Sequence, residues 1–185
     1  MKTVLGLMGR GGEGPRKGEK MKPVLGILLF VPCIVFSTVE LVWAIQLDQN
    51  CEGYLKRAAD ANTVEMAKEE LGKAIEYAEE KKLTEGYTSI LYKTPNEDVG
   101  FWYKNLKASS DELGRVKPET PQLERTNILM KLRETLLDSN DGKTSVTVPP
   151  GISKYPYNTA WAFVLTLAVV AAIAGAILIC VDNFE

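Results

Sequence analysis

Apolar residues crowd into two stretches of the chain and are spaced periodically between them. Ala160 to Val181 is a run of 22 residues without a charge. At about 1.5 Å per residue a helix of that length covers about 33 Å, enough for a hydrocarbon core of about 30 Å. Pro23 to Ile45 is the second stretch; it is free of charge from Val24 to Val39, with Pro32 inside it and Glu40 near its outer end. Proline inside a membrane helix is tolerated with a kink. A cleaved signal peptide is the competing reading, with Lys20 and Lys22 as its basic region and Val42-Trp43-Ala44 as its cleavage site. The run Leu41 to Ile45 extends a span more naturally than it ends a leader.

Between the two stretches the pattern turns helical. Leu47, Cys51, Tyr54, Leu55 and Ala58 share a helical face that continues from the first stretch. Asn62 with Glu65 reads as a capping box that opens a helix to about Lys82, with Met66, Leu71, Ala74, Ile75 and Ala78 inward. Thr94-Pro95-Asn96-Glu97 opens the next, to about Leu113, burying Val99, Trp102, Leu106 and Leu113. Thr120-Pro121 repeats the signal for a helix to about Asp138, through Leu123, Ile128, Met130, Leu132, Leu136 and Leu137. The β-rich run Tyr87 to Tyr92 predicts a strand paired with Thr144 to Val148, and Ser139-Asn140-Asp141-Gly142 reads as a turn.

This pattern predicts a mainly α membrane protein, a two-helix transmembrane hairpin carrying a mostly helical extracytoplasmic domain of about four helices and a small β-pair. The expected divisions are a disordered cytoplasmic head at 1–22, spans at 23–46 and 158–181, the domain at 47–157 and a tail at 182–185. Glycine, proline and arginine dominate Gly9 to Gly18, with too little apolar surface to offset ordering. Met21 is an alternative start. Lys2, Arg10, Arg16, Lys17, Lys20 and Lys22 precede the first span and argue for a cytoplasmic N-terminus at the plasma (inner) membrane, with both termini on that side. Trp43, Tyr155, Tyr157 and Trp161 then fall together at the outer interface.

Charge and composition narrow the function. From Leu47 to Tyr157 there are 16 Lys and Arg against 19 Asp and Glu, a net of −3 that gives no footprint for nucleic acid. With 0 histidines, His-dependent acid–base catalysis, triads and His-containing zinc sites are excluded. No phosphate-binding glycine loop or metal-ligand spacing appears, so no catalytic, metal or cofactor site and no small-molecule ligand is expected. Of the 3 cysteines, Cys33 and Cys180 lie in the apolar stretches, leaving Cys51 as a buried small side chain or a link between copies.

Three features could carry recognition. Ala168, Ala171, Ala172, Gly175 and Ala176 form a small-residue face at helical spacing, suited to close helix packing on the first span or another subunit. Glu40 is the one ionisable residue inside either span; it snorkels to the interface, couples an ion, pairs with a partner's base, or meets Thr166 at similar depth. Phe101-Trp102-Tyr103 cannot all face one core, since successive helical residues differ by about 100°. The expected function is a non-enzymatic membrane-anchored interaction protein or accessory subunit, with membrane lipid and another membrane protein or its own copies as partners. A sensory module passing its output to a partner protein is the alternative, followed by a surface-polymer assembly factor.

Overall fold

The computed structural model describes residues 21–140 and 142–184; the predicted disordered head lies outside the described residues apart from its last positions. The protein is mainly helical, with α1 (Met21–Leu28), α2 (Val31–Leu47), α3 (Gly53–Ala59), α4 (Val64–Glu80), α5 (Val99–Arg115), α6 (Gln122–Leu136), the strands β1 (Leu137–Asn140) and β2 (Lys143–Val146), and α7 (Asn158–Phe184). Its described residues divide into two compact units, one within 36–164 and the other made of 21–35 with 165–184. Two helical stretches, Gly26–Ala59 and Asn158–Ile177, are long and apolar enough to cross a membrane.

Proline sets the break between α1 and α2. Pro32 has no N–H for the Leu28 carbonyl, and its ring crowds that turn. The backbone tightens there instead, with Leu29 N donating to Gly26 O at 3.2 Å and Phe30 N to Ile27 O at 3.0 Å. The next irregularity has a different cause. Residues 48–52 form a π-helical turn, closed by Gly53 N on Asp48 O. Leu47, Cys51 and Leu55, spaced by four, are all buried. In a regular α-helix that spacing drifts by about 40° per step, and the wider turn takes up the drift.

The core of the larger unit lies around α4. Its inner face is Val64, Ala67, Leu71, Ala74, Ile75 and Ala78, all buried. The small alanines let α3 approach with Leu55 and Ala58, while α5 contributes Val99, Trp102, Leu106 and Leu113 and α6 contributes Leu132 and Leu136. The N-cap of α4 is Thr63, whose hydroxyl accepts from Met66 N at 3.2 Å, so the predicted cap at Asn62 is corrected by one residue. With the helix starting there, Met66 faces away from Leu71 and is exposed, against expectation. Leu123 and Met130 are likewise exposed on α6.

The helix foreseen from Thr94 is interrupted. Glu97 accepts from Thr94 N and Oγ1 as a capping box does, but the turn Pro95–Glu97 is 3-10 and stops at Asp98. Asp98 is extended and caps a second start, its Oδ1 accepting from Phe101 N at 2.9 Å. The reason lies across the chain, where Thr88 N donates to Glu97 O and Val99 N to Gly86 O around a single Tyr87–Asp98 bridge.

That bridge is all that forms of the expected Tyr87 strand. Instead β2 pairs antiparallel with β1, Leu137 opposite Val146 and Asn140 opposite Lys143. The β propensity of Tyr87 to Tyr92 found no sheet neighbour. β1 ends at Asn140 and β2 begins at Lys143, with Gly142 at φ 76, so the pairing joins segments adjacent in the chain at far less closure cost. The same pairing ends α6 before Leu137, short of Asp138.

Two residues beyond α4 hold left-handed backbone. Lys82 has φ 59 and closes the helix as glycine usually does, with Leu83 N donating back to Ala78 O at 2.7 Å. A side chain in that conformation costs about 1 kcal/mol relative to glycine. Gly86 has φ 90, and a Cβ there would collide with the Tyr155 hydroxyl, which donates to Glu85 O at 2.7 Å. Gly86→Ala therefore combines backbone strain with overpacking and is expected to lower stability by about 2–4 kcal/mol. Chemical unfolding of the full chain in detergent measures this; a loss below about 0.5 kcal/mol would contradict the geometry.

Candidate functional site

Helical geometry splits the aromatic triplet three ways. Trp102 is buried, and its indole Nε1 donates to Thr147 O at 3.0 Å, joining α5 to the segment after β2. Tyr103 is half-buried and donates to the Glu79 carboxylate on α4. That bond pushes the phenol up to about 12 and lowers the Glu79 carboxyl. Phe101 is 62% exposed. It borders a groove of about 450 Å³ whose walls also include Asn105, Asp138, Val146, Pro149 and Pro150. The groove combines the exposed Phe101 ring and the edge of the buried Trp102 with prolines and short polar side chains, the composition of a surface that grips an extended chain.

A second cluster surrounds Glu40. Its Oε1 accepts from Lys154 Nζ at 2.7 Å and from Trp161 Nε1 at 2.6 Å. The Trp161 ring packs edge-on against Phe36 at 4.5 Å and tilted against Trp43 at 4.7 Å. Phe36, Glu40 and Trp43 are three and four residues apart and so share one face of α2. The carboxylate is thus matched by a base of the same chain. Thr166 belongs to the other unit and is exposed. Lys154, on a 3-10 turn at Ile152–Lys154, was not foreseen, because nothing in local spacing relates residues so distant in sequence.

The small-residue face lies in the second unit. Gly175 is buried against α1, where an added Cβ would stand 2.7 Å from Gly26 O and 3.1 Å from Leu29 Cβ. Ala168 is buried, and its carbonyl accepts from Cys33 Sγ at 3.4 Å. Ala171 and Ala172 are half-buried and Ala176 is exposed. The backbone approach at Gly175 is what small residues permit.

Cys51 is fully buried, and burial, with the nearby Glu52 charge, pushes its thiol up to about 12. On α4, Glu69 is exposed and Glu70 buried, yet Lys73 pairs with both at 2.8 and 3.0 Å. Arg57 adds a 2.9 Å contact to Glu70. Among the described residues, no group of three or more His, Cys, Asp or Glu side chains could hold a metal ion.

Comparison with protein-family models, with curated proteins and with solved structures finds no match for the chain.

Two expectations follow from this geometry. In an A168C variant, oxidation should join the new thiol to Cys33, read as two thiols lost to alkylation by intact mass. Adding Gly175→Leu should abolish that loss, and an undiminished yield would mean the helices do not meet there. Cys51 should resist alkylation in the folded protein at mildly alkaline pH and react once denaturant exposes it. Labelling of the native protein at the rate of a free thiol would show the site to be open.

Proposed function

We propose that the protein is a non-enzymatic, membrane-anchored interaction protein, an accessory subunit whose helical domain stands outside the cytoplasm and binds a partner. The observation that carries this reading is the exposed Phe101 ring on its groove. The flanking Trp102 and Tyr103 are both engaged within the domain, while Phe101 offers an aromatic face to solvent. Aromatic anchors of this kind dominate binding energy at protein interfaces.

Anchoring is supported by the outward faces of the apolar helices. Val24, Ile27, Ile34 and Val35 on one side, and Phe163, Leu167, Val170, Ile173 and Ile177 on the other, are all exposed. A patch of that extent favours an apolar surrounding over water. The basic residues before Pro23 favour a cytoplasmic N-terminus.

Purification of the tagged full chain in mild detergent tests the partner. The wild type is expected to bring one protein, or its own copies, in fixed ratio. Phe101→Arg should reduce that recovery about tenfold, the scale of one aromatic anchor, with stability unchanged within about 0.5 kcal/mol. Equal recovery with the arginine variant would remove the groove from the interface.

A further inference from the structure

A second cavity, of about 240 Å³, opens where both apolar helices join the domain. Its walls include Trp43 from α2, Tyr77 from the end of α4, Lys81 and Lys82 just beyond it, Lys154, and Tyr157 immediately before α7. Lys154 is committed to Glu40 at 2.7 Å. Lys81 lies over the Tyr77 ring at 5.8 Å, and neither Lys81 nor Lys82 has an ion pair among the described residues. Glu80 is the one carboxylate of the wall, so the lysines leave a positive excess.

Two further observations bear on what the cavity meets. Lys82 occupies the left-handed position where glycine would be less strained, so its side chain is kept there at a cost to the fold. The loop after Gly86 exposes Ile90, Leu91 and Tyr92, with Leu91 at 85%. That loop is tied to the head of α7, since Asn158 Nδ2 donates to Thr88 O. An apolar loop, interfacial aromatics and unpaired lysines beside the entry of two apolar helices are the features of a surface resting on headgroups.

We propose that this cavity takes the phosphate of a membrane phospholipid. The Lys81 and Lys82 ammonium groups donate to the phosphate oxygens, and Trp43 and Tyr157 border the glycerol region. This rests on the membrane reading above and adds a defined lipid site to it. The shared chemistry is a set of anionic phosphate oxygens, and the test separates lipid from free phosphate.

The full chain, extracted in mild detergent with phosphatidylglycerol or phosphatidylcholine added, is weighed intact by native mass spectrometry. The wild type should retain phosphatidylglycerol in preference, and Lys81→Gln and Lys82→Gly should each lower retention about tenfold, as loss of a charge-assisted contact would. Lys82→Gly should at the same time raise the thermal midpoint, because it relieves the left-handed strain. A structural lysine would change the midpoint and leave lipid retention alone, and equal retention in both variants overturns the proposal. Displacement of the lipid by millimolar inorganic phosphate would assign the site to free phosphate and overturn it as well. Resistance of the wild type and both variants to carbonate extraction from membranes is scored in parallel. Extraction of the wild type would instead refute the membrane reading itself.

Discussion

A carboxylate in an apolar helix must be answered by a donor, and in the larger unit that requirement is met by Glu40, Lys154 and Trp161. The three come from α2, the 3-10 turn at Ile152–Lys154 and the start of α7. Phe36 and Trp43 enclose the Trp161 ring from the α2 side. One polar contact and its aromatic surround therefore fix how the chain leaves the domain and how it returns. The Lys154 and Glu40 side chains keep 36% and 30% of their surface exposed, so the contact orients the chain more than it stabilises the fold.

Above that base the domain is built by ordinary means. The alanines of α4 admit α3, and large side chains from α5 and α6 close the remaining sides. The indole of Trp102 ties the helices to the segment after the hairpin by its bond to Thr147. Tyr155 and Asn158 then reach back to Glu85 and Thr88, so the loop after α4 is held from the other end of the domain. Polar side chains act here as ties between distant segments, while apolar ones supply the bulk of the burial.

Much of this was legible from residue spacing. The inner residues of α4 and α5 follow a 3.6-residue period strongly enough that Leu71, Ala74, Trp102 and Leu106 are identified without a structure. Of the small-residue face, Gly175 meets Gly26 while Ala176 is exposed. Local competition was harder to read. Asn62 and Thr63 are both good caps, and only the start of the inward face decides between them. Asp98 restarts a helix that Thr94 had begun, because the backbone of Gly86 and Thr88 draws residues 97–99 straight. The Asp141-Gly142 pair carried the hairpin signal, but the β-branched and aromatic run at Tyr87 outweighed it in a reading by composition. Contacts such as Glu40 with Lys154, or the meeting of Lys82 with Trp43 around one cavity, depend on tertiary closure and leave no mark in spacing.

The π-helical turn at Asp48–Glu52 has a consequence for how this chain tolerates change in length. Leu47, Cys51 and Leu55 stand in one line only because the turn is wide. Removing one residue there would restore a regular helix and leave everything before it, Trp43 and Glu40 included, within about 20° of its present phase, because seven residues make close to two α-helical turns. The hairpin tip, by contrast, is exposed at Gly142 and Lys143 and can lengthen without moving any buried side chain. Insertions in related chains should accordingly gather at the tip, while the turn can lose a single residue and keep its flanking helices in phase.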